Sequence, residues 1–70
     1  MEILDSTAIN WIQYFPDKLL LKIRYTSSDT IYVYYNLPSV IYEQLLHAES
    51  KGNFVNRFIK EIYDYSVEKR

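Results

Sequence analysis

"LLLKIRYTSSDTIYVYYN" spans residues 19–36, and the fold turns on how its two apolar runs are read. From 19 to 25, Leu19, Leu21, Ile23 and Tyr25 fall on one side while Lys22 and Arg24 fall on the other, the period-two pattern of a half-buried strand. The second run, "IYVYYN" (31–36), is made of β-branched and aromatic residues that fit a pleated surface. A polar loop, "TSSDT", joins them. Upstream, "AINWIQY" (8–14) has strand composition, with Ile9, Trp11 and Gln13 on one face and Asn10, Ile12 and Tyr14 on the other. The "FPDK" turn, with φ fixed at Pro16, returns it to the second strand. Three sequential strands on short connections predict an antiparallel meander.

Downstream the period changes. Pro38 suits the first helical position, where its missing N–H costs nothing. Ile41, Leu45 and Ala48 recur at helical steps, Tyr42 and Leu46 widen the stripe, and Gly52 is expected as the left-handed stop. Asn53 is expected to cap a second helix whose buried face is Phe54, Phe58 and Ile62, flanked by Val55 and Ile59. The predicted fold is α+β, a three-stranded antiparallel meander followed by two helices packed on one face, a two-layer sandwich formed by residues 1–70 as a single domain.

Composition narrows the chemistry. Seventy residues make one small domain that buries roughly 60% of the surface its unfolded chain exposes. At 49% hydrophobic and 17% aromatic it is a folding chain, one whose thin core leans on self-association. The absence of cysteine excludes disulfides and thiolate metal sites and fits a reducing cytosol. No apolar run approaches the ~20 residues of a membrane span, and "MEILDST" lacks the features of a signal peptide, so a cytoplasmic protein without a membrane partner is expected. Eight Lys and Arg against nine Asp and Glu give a net charge of −1, a poor inventory for gripping a long phosphate backbone. Catalysis is not expected either. His47 has no nucleophile or orienting partner in view, and Ser6, Ser27, Ser28, Ser50 and Ser66 read as caps and turns. No metal or cofactor is called for.

The succession "STAI" (6–9), "LKIRY" (21–25), "YVYYNLP" (32–38) and "IYEQLLHAESKGNFVNRFIKEIYDY" (41–65) resembles the KTSC family, named for a small domain at the C-terminus of some lysyl-tRNA synthetases. The matching positions are Ser6, Ile9, Tyr32, Tyr34, Pro38, Tyr42, Ala48, Ser50, Gly52, Phe54, Asn56, Ile59 and Tyr63. One departure is that "TSSD" (26–29) lacks the glycine of the family's tight turn between the second and third strands. The resemblance implies an RNA-binding role, drawn from the synthetase context, and small stand-alone members look similar to proteins of bacteria and their phages.

Two groups of residues can build a binding site. If Leu21, Ile23 and Tyr25 face the helices, Lys22 and Arg24 emerge on the open face. With Ile31, Val33 and Tyr35 inward, Tyr32 and Tyr34 stand beside those cations, a combination that stacks a base and holds a phosphate. The same tyrosines serve equally as core or as a dimer contact, and Trp11 fits either purpose. The second group lies in "ESKGNFVNRF" (49–58), which is open to two compatible readings, a helix connector or an anion cradle. As a cradle it would use Ser50, Lys51, Gly52 and Asn53 at a helix N-terminus, with Asn56, Arg57 and Lys60 as further donors. The functional expectation is a non-catalytic receptor for a small nucleotide-derived ligand, acting by sequestration as phage counter-defence proteins soak up nucleotide immune signals. A second copy in a homodimer supplies the walls that one small domain lacks. The alternatives are a short-RNA-binding module of KTSC type and a protein-interaction module with no small ligand.

Overall fold

Both apolar runs form strands, and the sheet extends beyond the three that periodicity marks. The structure, a computed structural model, describes residues 2–3, 8–27 and 29–68; Ser6 and Ser28 lie outside them. In chain order the elements are β1 (Glu2–Ile3), β2 (Ile9–Phe15), β3 (Leu20–Tyr25), β4 (Ile31–Tyr34), α1 (Ser39–His47), α2 (Lys51–Phe58) and β5 (Tyr65–Glu68). The strands form one antiparallel sheet in the order β1-β2-β3-β4-β5. The α+β class and the two helices on one face hold, while the described residues carry five strands where three are expected. The added strand at the far edge is "YSVE", whose alternation is too brief to stand out beside the preceding helical period.

Cross-strand partners share a face, so the register assigns the core. Ile12 stands opposite Ile23, Tyr14 opposite Leu21, Ile23 opposite Tyr32 and Leu21 opposite Tyr34, all turned toward the helices. There they meet Leu45 of α1, Val55 of α2 and Ile59, which with Ile9 and Leu37 make a cluster of wholly buried side chains. Simple alternation places Ile9 and Ile12 on opposite faces, but both are buried in this one core. A register shift between Ile9 and Trp11 makes Asn10 the extra residue of a β-bulge, which turns Ile9 back to the helix side.

The helices depart from expectation in their boundaries. Pro38 is the N-cap of α1, one place before the first helical residue, and its carbonyl accepts from the N–H groups of Ile41 and Tyr42. Ala48 ends that helix in an extended conformation, so the turn between helices needs no left-handed glycine. Gly52 lies inside α2 without a positive φ, and its place there has a packing cause: an added Cβ would sit 2.9 Å from the Ala8 Cβ. Ser50, not Asn53, caps α2, its hydroxyl accepting from the Asn53 N–H at 3.3 Å. The buried stripe of this segment is Val55 and Ile59, with Phe54 half-buried, while Phe58 and Ile62 are exposed. The helix stops at Phe58 because the chain loosens there, the Lys60 N–H reaching back to the Val55 carbonyl at 2.7 Å, and this frees Tyr65 onward to join the sheet. No helix among the described residues is long and apolar enough to cross a membrane.

Candidate functional site

The face of the sheet away from the helices is where Lys22 and Arg24 emerge, as their alternation requires. Lys22 stands opposite Gln13 on β2 and Val33 on β4, and Arg24 stands opposite Trp11 and Ile31. Phe15 and Leu20 are paired on the same face, and β5 adds Ser66 opposite Val33 and Glu68 opposite Ile31. A hollow of about 250 Å³ opens here. Val33, nearly fully buried, forms its floor with Leu20; Phe15 and Tyr35 are aromatic walls; Lys18, Lys22 and Glu68 stand at its rim. Lys18 is brought to that rim by the 16–19 turn, closed by its N–H donating to the Phe15 carbonyl at 3.1 Å.

The polar groups of this face are partly engaged with one another. The Lys22 Nζ lies 3.5 Å from the Glu68 carboxylate and 5.8 Å from the centre of the Phe15 ring. Arg24 donates to the Asp29 carboxylate at 2.9 Å, while its Nε–H is buried without an acceptor among the described residues. Tyr35 is held by a hydroxyl-to-hydroxyl bond with Ser66. Both ion pairs reach solvent, so neither contributes much net stability, and a ligand anion can compete for either cation.

Tyr32 and Tyr34 are not beside those cations. The register Arg24 to Ile31 puts Ile31 and Val33 on the open face and sends both tyrosines to the helix side. Tyr34 is wholly buried and shares a 3.2 Å hydroxyl contact with Tyr25; Tyr32 is half-buried, edge-on to Tyr25 and tilted against Tyr65. Burial pushes the Tyr25 and Tyr34 phenols upward in pKa, so both stay neutral. The expectation of Ile31, Val33 and Tyr35 inward with Tyr32 and Tyr34 outward fails because every residue of "IYVY" is apolar enough for either side. Tyrosine is tolerated within since the two hydroxyls satisfy each other.

The second predicted group sits in the helix layer, apart from Lys22 and Arg24, so the eleven candidate residues do not form one site. Its first residues are engaged in structure. Ser50 is bonded as the cap, the Lys51 ammonium donates to the Ala48 carbonyl at 2.7 Å, and Gly52 packs against Ala8. Asn53, Asn56, Arg57 and Lys60 are exposed, with the Arg57 guanidinium 5.8 Å from the centre of the Phe58 ring. Within the stretch 49–58, residues 51–58 are α2 itself, and the connector between the helices is the short segment 48–50. Phe15, Lys18 and Tyr35 were not singled out as site residues, although Phe15 shares the face of Trp11 and Gln13 at two-residue steps, a signal available in the sequence.

The described architecture has close counterparts. The family model of the KTSC domain matches residues 5–63. A protein of Tsukamurella paurometabola is 40% identical over 60 residues, an alignment covering 86% of this chain and 88% of that protein. The crystal structure of a KTSC domain protein from Yersinia pestis aligns with a TM-score of 0.88 at 28% identity, covering 93% of this chain and 90% of that one. The family match takes in β2 to β4 and both helices, the elements that build the core. This chain belongs to the KTSC domain family.

Proposed function

We propose that this chain is a non-catalytic binding module for a small nucleotide-derived ligand, seated in the hollow on the open sheet face. The observation that supports it is the meeting there of two aromatic walls, Phe15 and Tyr35, with two ammonium groups, Lys18 and Lys22, over an apolar floor. Stacking of a base on an aromatic ring is worth about 1–3 kcal/mol, and an ammonium is a natural phosphate partner. The volume of about 250 Å³ suits one compact ligand. The Glu68 carboxylate can accept from ribose hydroxyls or a base N–H, and Lys22 changes partner from Glu68 to phosphate on binding. With no activated nucleophile assigned to the hollow, the module acts by holding its ligand, and sequestering a nucleotide signal is the role that fits.

Calorimetric and thermal-shift titrations against nucleoside monophosphates, ADP-ribose derivatives and the matching nucleosides test this. Phosphorylated compounds should raise the melting temperature with concentration, as any ligand of the native state does. Lys22→Gln and Phe15→Ala should each weaken binding by about tenfold or more, roughly 1.4 kcal/mol. Arg57→Gln should not change it. Flat responses across the panel, or binding that depends on Arg57 and not on Lys22, would overturn the proposal.

Short RNA is a second reading, favoured by the row that continues past the hollow. Trp11 stands opposite Arg24, whose guanidinium is held, among the described residues, only by the exposed Asp29 carboxylate, so a second base and a second phosphate have groups to meet. The salt dependence separates the two. Several phosphate contacts give a steep loss of affinity with added salt, whereas a mononucleotide gives a shallow one.

A further inference from the structure

We infer that β5 is a dimerisation edge: two copies of the chain pair their β5 strands antiparallel about a twofold axis, continuing one sheet through both. β5 is last in the strand order, and its outer edge meets no strand among the described residues. It follows β4 without a register shift, from Ile31 opposite Glu68 to Tyr34 opposite Tyr65. Edge strands are ordinarily blunted by proline, lysine, a bulge or a covering element. Tyr65–Glu68 carries no proline, no lysine and no bulge. The apolar surface points to the same place. Of the seven large hydrophobic residues exposed among those described, Phe58, Ile62, Tyr65 and Val67 fall within residues 58–67.

Self-complementarity selects a second copy as the occupant. A twofold axis normal to the sheet keeps both helix layers on one side, so residues facing each other across it come from the same face. A register centred on Ser66 would set Asp64 against Glu68 of the second copy, twice, and like charges directly opposite are destabilising. Centring on Val67 sets Val67 against its own copy on the helix side and Ser66 against the second copy's Glu68 on the open side. Apolar then meets apolar, and a hydroxyl meets a carboxylate. The Tyr35–Ser66 hydroxyl pair can run in either direction, and in the dimer Tyr35 donates to the Ser66 Oγ so that the Ser66 O–H donates across the axis. Because Tyr35 and Glu68 also border the hollow, the added strand extends its rim, giving the dimer two sites side by side on one continuous face.

Sedimentation velocity over a wide range of protein concentration, with no nucleotide present, tests the dimer independently of the ligand reading. The apparent mass should double as concentration rises. Ser66→Glu places carboxylate against carboxylate across the axis and should leave only monomer; adding Glu68→Lys turns both contacts into ion pairs and should bring the dimer back. Far-UV circular dichroism checks that each variant is folded, and Val67→Lys, which buries two ammonium groups at the axis, carries the test if Ser66→Glu is not. A wild type that stays monomeric throughout, a dimer that survives Ser66→Glu and Val67→Lys, or a charge reversal that restores nothing would each overturn the assignment.

Discussion

Tyr34 keeps a hydroxyl group at 0% exposure, and the Tyr25 hydroxyl 3.2 Å away is what makes that tolerable. Removing one member strands the other, at a cost of about 1–3 kcal/mol for a buried group without a partner. Tyr25→Phe and Tyr34→Phe should therefore each lower stability by that order in urea unfolding, and the double variant should lose clearly less than their sum. The pair also sets an alkaline limit. Burial, first, raises the folded-state pKa of Tyr25, with the bond to Tyr34 adding to it, and burial likewise raises that of Tyr34, above the usual value of about 10. A raised folded pKa means that the unfolded chain ionises first. Stability is thus undiminished below about pH 10 and falls as pH rises beyond it. Urea midpoints measured on either side of pH 10 should show this fall, and Tyr25→Phe should flatten it; an unchanged slope would mean that these phenols are not the groups responsible.

Among the elements, α2 separates two roles that the same letters can play. Ser50 holds the helix start through the Asn53 N–H, whereas the Asn53 side chain is exposed. Ser50→Ala should cost about 1 kcal/mol, the usual value of an N-cap, while Asn53→Ala should stay within about 0.5 kcal/mol of wild type. Chemical denaturation of the two variants decides it, and the reverse order of effects would return the cap to Asn53. Legibility in the sequence followed the strength of each periodic signal. β3 was plain because six residues alternate with charges on one side, and Lys22 and Arg24 were placed by that alternation alone. β4 was found but its parity was not, since a strand with apolar residues on both faces leaves the choice to its register with β3. β5 was hidden by its four residues, and the Asn10 bulge by the absence of any local mark. For the site, the cations were legible and the aromatic partners were misplaced, because Tyr35 and Tyr32 exchange roles with a one-residue change of face.

At the scale of the whole molecule, one contact joins the two layers at a corner where neither can yield. Gly52 of α2 lies against Ala8, and Ala8 is tied to the start of β2 with its carbonyl accepting from the Thr26 N–H at 3.1 Å. A methyl group at 52 would stand 2.9 Å from the Ala8 Cβ, closer than carbon atoms approach, and a Cβ moves only with its backbone. Two effects then compete in Gly52→Ala. Helix propensity favours alanine by about 1 kcal/mol, whereas overpacking a fitted interface costs about 1–3 kcal/mol. Overpacking wins here because the neighbour is anchored, and a net loss of up to about 2 kcal/mol is expected. In an Ala8→Gly background the obstructing carbon is gone, so the same Gly52→Ala change should become neutral or stabilising, with propensity left to act alone. A double-mutant cycle in urea measures this reversal. A loss that persists unchanged in the Ala8→Gly background would show that glycine is held at 52 for some reason other than the docking of α2 onto the sheet.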